Sequence, residues 1–262
     1  MIIRTERALI GVIHLPPLPG SPRHHLPVQA IVDRSVQEAR MLESAGFDAV
    51  ILENLGDAPF FSDRVPPATV ACMTLVGEAL RLSTRLAVGV NCLRNDAIAA
   101  LGIAAACGAS FIRVNVLTGV VAADQGLIQG RADEVLRHRK LLGLKTAILA
   151  DVFVKHAVTL HATDLAAAAR DTARRGLADG LIVTGPATGV ETSAEDVRRV
   201  RQAVPERPVF VGSGVTSQTV AGYLDVAAGV IVGSALKPGG DLDLPVDPDL
   251  AHAFVRAARA QT

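Results

Sequence analysis

Pro208-Val-Phe-Val-Gly-Ser-Gly-Val-Thr216 decides how this chain is read, and Gly229-Val-Ile-Val-Gly-Ser-Ala235 repeats its design. Each is a short, apolar, β-branched run that ends in glycine and serine. A run without polar alternation reads as a parallel strand buried on both faces. Glycine just past a strand lets the backbone approach a ligand, and a helix starting there turns its free N–H groups towards it. Thr216 is placed to N-cap such a helix, with Ser217 beside it. Two Gly-Ser tips on neighbouring strands make a phosphate-sized anion cup from Ser213, Gly214, Gly233 and Ser234. In an eight-stranded α/β barrel, such cups lie after the seventh and eighth strands.

The six earlier strands are present. They read as Ala8–Leu15, Asp48–Asn54, Leu86–Cys92, Phe111–Val116, Lys145–Val152 (running on towards Lys155) and Gly180–Gly185. Helical spacing predicts helices over Val28–Ser44, Ala68–Ser83, Asp96–Cys107, Ala132–Leu142 and Thr163–Arg175. Ser193-Ala-Glu-Asp196 resembles a capping box, Gln218–Asp225 is a short helix, and Asp249–Ala260 is the last. Strand and helix in alternation require a parallel sheet with right-handed crossovers. The fold class is therefore α/β, a (β/α)8 TIM barrel over 1–262 as a single domain, since about 250 residues is the usual size. Helix-to-strand turns are short and hold Gly46, Gly108, Gly143, Gly176 or Pro205. Strand-to-helix connections are long, as in Pro16–Pro22, Leu55–Pro67 and Leu117–Gly130, and carry most of the unusual polar residues. That asymmetry marks a working face at the strand C-termini.

Composition narrows the function. Half of the residues are hydrophobic but only 3% are aromatic and Trp is absent, so a barrel core of Val, Ile, Leu and Ala is expected. Lys+Arg and Asp+Glu balance at 26 each, which leaves no global field to recruit nucleic acid or an anionic membrane. Cys72, Cys92 and Cys107 are odd in number and far apart, as expected of buried free thiols in a reducing compartment. No signal peptide is evident, and the longest uncharged stretch, Ala97–Ile112, is too short to span a membrane. The expected location is cytoplasmic.

Polar residues at the ends of buried strands need a reason, because an unpaired buried polar group costs about 1–3 kcal/mol. His14, Glu53 with Asn54, Asn91, Arg113 with Asn115, Asp151, Thr184 and Ser213 form such a series. Convergent acid, base and amide groups opposite the short turns describe a pocket. Asp151, Lys155 and His156 are the richest acid–base group; a partly desolvated Lys155 can act as base or amine nucleophile, as in a Schiff-base aldolase. His14 and Glu53 on adjacent strands suit base and orienter. With Asp151 they could also ligate a divalent metal, although no metal-ligand spacing is present and no cofactor is predicted. Arg113 in a water-poor site needs an anion such as Glu53, Asp151 or substrate. The catalytic candidates are thus Asp151, Lys155, His14 and Glu53, with Asn91, Arg113, Asn115, His156 and Thr184 holding substrate. Gly185-Pro-Ala-Thr-Gly189 can extend the cup, whereas His24, His25 and His138 should face solvent and Gly239-Gly240-Asp241 should be a surface turn.

These segments resemble the BtpA/SgcQ family. The resemblance is carried by Gly11-Val-Ile-His-Leu-Pro-Pro-Leu-Pro-Gly-Ser-Pro22, Glu53-Asn-Leu-Gly-Asp-Ala-Pro-Phe60, Asn91-Cys-Leu-Arg-Asn-Asp96 and Phe111-Ile-Arg-Val-Asn-Val-Leu-Thr-Gly119. Asp124-Gln-Gly126, Ala150-Asp-Val-Phe-Val-Lys-His-Ala157, Asp179–Gly189 and the Gly-Ser tips continue it in the same order. It implies a phosphate-binding barrel. Some members resemble enzymes of sugar-phosphate or nucleoside metabolism, and the family takes its name from a factor for photosystem I accumulation. It carries over no agreed catalytic residues. The combined expectation is an isomerase or lyase acting on a small phosphorylated molecule. The alternative is a non-catalytic assembly factor. Pairing into a homo-oligomer through outer helices is compatible with either.

Overall fold

The computed structural model describes residues 6–154, 156–160, 164–185 and 190–260. In chain order the strands are β1 (Ala8–His14), β2 (Ala49–Glu53), β3 (Ala87–Asn91), β4 (Phe111–Val114), β5 (Val120–Ala123), β6 (Gly126–Gln129), β7 (Ala147–Asp151), β8 (Ala157–Thr159), β9 (Gly180–Val183), β10 (Val209–Val211) and β11 (Gly229–Val232). The helices are α1 (Val28–Ala45), α2 (Pro67–Ser83), α3 (Ala97–Cys107), α4 (Ala132–Leu141), α5 (Leu165–Arg170), α6 (Ala194–Ala203), α7 (Val220–Val226) and α8 (Pro248–Arg259). Eight strands close a barrel in the order β1-β11-β10-β9-β7-β4-β3-β2, every neighbour parallel. The TIM-barrel expectation holds stave for stave.

Two-residue periodicity sets what each stave offers to the interior. Ala8, Ile10, Val12, Ala49, Ile51, Phe111, Leu149, Ile182, Phe210 and Ile231 form one cluster inside the barrel. The alternate residues, such as Leu9, Ile13, Val50, Leu52, Val90 and Ile112, pack outward against the helices. The interior is aliphatic apart from Phe111 and Phe210, which lie 0% and 1% exposed at its centre. Cys72, Cys92 and Cys107 are free and buried.

The lower rim, at the strand N-termini, is stitched by carboxylates. Asp48 accepts the Leu9 amide at 2.8 Å and Arg259 at 3.0 Å. Asp179 accepts the Ile148 amide at 2.9 Å and is paired with Arg139. Ser193 caps α6 through the Asp196 amide, as its capping-box pattern predicts. Asp96 caps α3 through the Ala99 amide and also takes the Val65 amide, tying the long loop after β2 to the barrel.

Several expectations are corrected. Residues 117–130 are not a bare loop, because β5 and β6 form a hairpin that β8 extends into an antiparallel sheet. Its short in-out alternation buries Val121 and Ile128 and exposes Leu127. β7 ends at Asp151 instead of running on towards Lys155. The helix expected at Thr163–Arg175 is a six-residue α5 that widens into a π-turn over Asp171–Arg175. Thr216 does not cap a helix: the chain makes one more turn, with the Thr219 and Val220 amides on the Thr216 carbonyl, and α7 starts at Val220.

Candidate functional site

Continuing each inward phase beyond the apolar cluster reaches the C-terminal mouth of the barrel. The next inward residues are His14 after Val12, Glu53 after Ile51, Asn91, Arg113 with Asn115 after Phe111, Asp151 after Leu149, and Thr184 after Ile182. Gly212 and Gly233 hold the same phase after Phe210 and Ile231. One parity therefore yields a dry lower interior and a polar crown. Register places His14 opposite Glu53, and Glu53 opposite Asn91, at a single level.

The crown is closely bonded. Arg113 donates to Asp151 in a bidentate pair, Nε to Oδ1 and Nη2 to Oδ2, both at 3.0 Å. Asn115 Nδ2 donates to the same Oδ2 at 3.1 Å, and Asn91 Nδ2 donates to Glu53 Oε2 at 2.8 Å. Burial alone would pull the Arg113 guanidinium down, but the charge and hydrogen bonds of Asp151, helped by Glu53, raise it above its ordinary value. The fork geometry suits arginine and no other cation. Asn115 Oδ1 is buried and takes no hydrogen bond from the described residues. Thr184 donates to the Phe153 carbonyl at 3.0 Å and so braces the loop after β7.

Ser213 and Ser234 line one narrow cavity with Gly212, Gly214, Val215, Gly233, Val12, His14, Glu53 and Arg113. Two glycines shape it. A Cβ on Gly233 would lie 2.5 Å from Cε1 of His14, so the imidazole occupies the space that a side chain there would fill. Gly214 has φ +69, and a Cβ there would meet the Val190 carbonyl at 2.3 Å. Among the described residues, no carbonyl or side chain takes the amides of Ser213, Gly214 and Val215. The Ser213 hydroxyl, in contrast, is turned out of the barrel phase. It accepts the Gly185 amide at 2.8 Å, while Thr192 donates to the Ser213 carbonyl at 2.9 Å. Ser213 thus offers the cavity its backbone, and its side chain ties down the loop after β9.

The remaining sequence candidates separate. His156 is exposed just before β8, and His24 and His25 are exposed on the loop after β1. Lys155 and the 186–189 part of the glycine-bounded loop lie outside the described residues. Among the described residues, no group of three or more His, Cys, Asp or Glu is placed to share a metal ion, the trio His14, Glu53 and Asp151 included.

Two cations escape a reading by strand ends. Arg94, on the loop after β3, is 6% exposed; burial pulls its guanidinium down while Asp151, Asp124 and Glu53 draw it up. Asp124 belongs to the turn of the β5–β6 hairpin, so that hairpin contributes to the field over the mouth. Lys237 is 2% exposed beyond β11, donates to the carbonyls of Leu242 and Leu244, and faces Glu38 at 3.9 Å. Burial lowers its ammonium below the ordinary lysine value. The signal for Arg94 was a charge three residues beyond Asn91 in an apolar setting. Lys237, next to a Pro-Gly-Gly turn, gave no such signal.

Closed parallel staves, a polar crown at their C-termini and glycine-lined tips after the last two define a TIM barrel whose polar groups gather at the strand C-terminal mouth. The chain belongs to the BtpA family, whose model matches residues 5–260. It is 48% identical to the photosystem I biogenesis protein BtpA of Synechocystis sp., over 97% of this chain and 88% of that one. It is 44% identical to an uncharacterized protein of Pyrococcus furiosus, over 96% and 95%. Among solved structures it is similar to N-(5'-phosphoribosyl)anthranilate isomerase of P. furiosus, at TM-score 0.58 and 14% identity over 97% of this chain and 100% of that one. It is also similar to (S)-3-O-geranylgeranylglyceryl phosphate synthase of Thermoplasma acidophilum, at TM-score 0.59 and 17% identity over 98% and 95%. These likenesses bear on the fold. No helix among the described residues is long and apolar enough to cross a membrane.

Proposed function

We propose that this chain is an enzyme acting on a small phosphorylated metabolite by proton transfer, as an isomerase or lyase. One observation carries the reading. A single cavity joins the uncommitted amides of the Ser213–Val215 tip and Gly233-Ser234 to His14, Glu53 and Arg113. The amides suit a phosphate, which needs several donors at close range. His14 and Glu53, at one level on adjacent staves, suit the acid–base pair. Asp151, committed to Arg113 and Asn115, serves to hold the guanidinium at the cavity edge, where its Nη1 is left for a substrate oxygen.

Solvent exchange tests this directly. Phosphorylated aldoses and ketoses are incubated with the protein in D2O, and deuterium entering the carbon next to the carbonyl is followed by NMR. Exchange is expected for at least one of them and should fall at least about a hundredfold in Glu53→Gln and His14→Gln, within the range of general acid–base contributions. No exchange with any of them, or equal exchange in both variants, sinks the proposal.

The second reading, an assembly factor, draws on the name of the Synechocystis relative. It assigns no task to the crown. It expects Glu53→Gln and His14→Gln to leave the protein's cellular role intact.

A further inference from the structure

The cavity that holds the Gly-Ser tips is too narrow to take a whole metabolite, but it does not end at His14. His14 and Leu242 line both it and an adjoining cavity of about 650 Å3. That volume lies in the middle of the range for small-molecule sites, roughly 300–1,000 Å3. It is bounded by the loops after β1 and β2 and by the segment after β11.

The lining of this second chamber is unlike the crown. Leu26, Leu55 and Phe60 give it apolar and aromatic surface, with Arg23, His25 and Asp243 among the polar groups of its wall. Along the Leu26, Leu55 and Phe60 part of the wall a hydroxyl-covered pentose or triose would find no hydrogen-bond partner, whereas a ring face would pack there. One of the polar groups, Arg34, is held in place. Arg34 donates Nε to Glu38 at 2.9 Å and Nη2 to the Asp243 carbonyl at 2.9 Å, which fixes the guanidinium plane. Its Nη1 donates to no described residue, leaving one oriented N–H group at the chamber wall.

Resting on the phosphate-ester reading, we infer that the substrate is a two-part phosphomonoester. Its phosphate sits on the Gly-Ser tips, and a planar, largely apolar ring system of nucleobase size fills the chamber beside Phe60. A ring carbonyl or ring nitrogen accepts from Arg34. Phe60 and Arg34 are then specificity residues that touch the non-reacting half of the substrate.

Titration calorimetry at fixed salt with inorganic phosphate, ribose 5-phosphate and the four nucleoside 5'-monophosphates tests this. At least one nucleoside monophosphate should bind about tenfold or more tightly than ribose 5-phosphate, the scale expected of one stacked ring. Phe60→Ala should erase that gain and leave ribose 5-phosphate affinity unchanged. Leu26→Trp, which fills the chamber from the opposite loop, should do the same in a protein with an unchanged melting temperature. If all the monophosphates bind no better than ribose 5-phosphate, the chamber inference fails while the phosphate seat stands. A gain that survives both variants also overturns it. If no phosphate compound binds at all, the functional reading falls and the inference goes with it.

Discussion

The two rims of this barrel both carry carboxylates, and they use them differently. At the lower rim, Asp48 and Asp179 each accept a main-chain amide of a neighbouring stave and one arginine. At the upper rim, Glu53 and Asp151 accept from side chains, namely Asn91, Arg113 and Asn115. A carboxylate that holds backbone fixes where a strand starts. One that holds a guanidinium or an amide fixes where a functional group points. Between the rims, the inward two-residue phase runs from an apolar middle to a crown of oriented polar groups, while Asp48 and Asp179 lie in the alternate phase.

The contrast can be broken most severely at the upper rim. Arg113→Met leaves the Asp151 carboxylate buried without its cation, which should cost about 3–5 kcal/mol and lower the melting temperature by about 10 °C. Arg113→Met combined with Asp151→Leu should recover most of that stability and none of the affinity for phosphate esters. Recovery of both in calorimetry would show that the pair is there for folding alone. At the lower rim Asp179→Ala removes the acceptor of the Ile148 amide, and the expected loss is about 1–3 kcal/mol with ligand affinity unchanged. A matching fall in affinity would erase the distinction between the rims.

A smaller effect sharpens the account of the segment beside the Gly-Ser tip. Tyr223, the single tyrosine, donates to the Thr192 carbonyl and lies 3.2 Å from a Glu191 carboxylate oxygen. Burial first, and then Glu191, push its phenol from 10.0 up to about 12. The unfolded chain therefore ionises first, and the stability due to this group is complete below pH 10 and lost between pH 10 and 12. Tyr223→Phe should cost about 1 kcal/mol at neutral pH, and its deficit against the parent should shrink over that window in chemical denaturation. A deficit independent of pH would refute this.

Much of this was legible in the sequence for a physical reason. A parallel stave buried on both faces must be apolar throughout, so His14, Glu53, Asn91, Arg113 and Asp151 stand out where their strands end. Which of them pair was not legible. The sequence leaves Arg113 a choice of Glu53, Asp151 or a substrate anion, and the structure gives it Asp151 on the adjacent stave, because partners across a barrel are set by register and not by chain distance. The β5–β6 hairpin was missed since four-residue alternation is weak evidence between two glycine-rich turns. Ser213 was read by its residue type, while its parity places the hydroxyl outside the barrel phase and leaves only its amide for a ligand. Lys237 was invisible because a lysine beside a glycine turn ordinarily sits in solvent.

The central claim is that the glycine-lined tips after β10 and β11 seat a phosphate against His14, and Gly233→Ala tests it with one methyl group. The added Cβ would stand 2.5 Å from the imidazole, a clash worth about 1–3 kcal/mol that intrudes on the seat itself. Titration of ribose 5-phosphate should show binding to the parent and at least about tenfold weaker binding to the variant, both proteins being folded at the assay temperature. Equal affinity in the two, or none in the parent, would contradict the account.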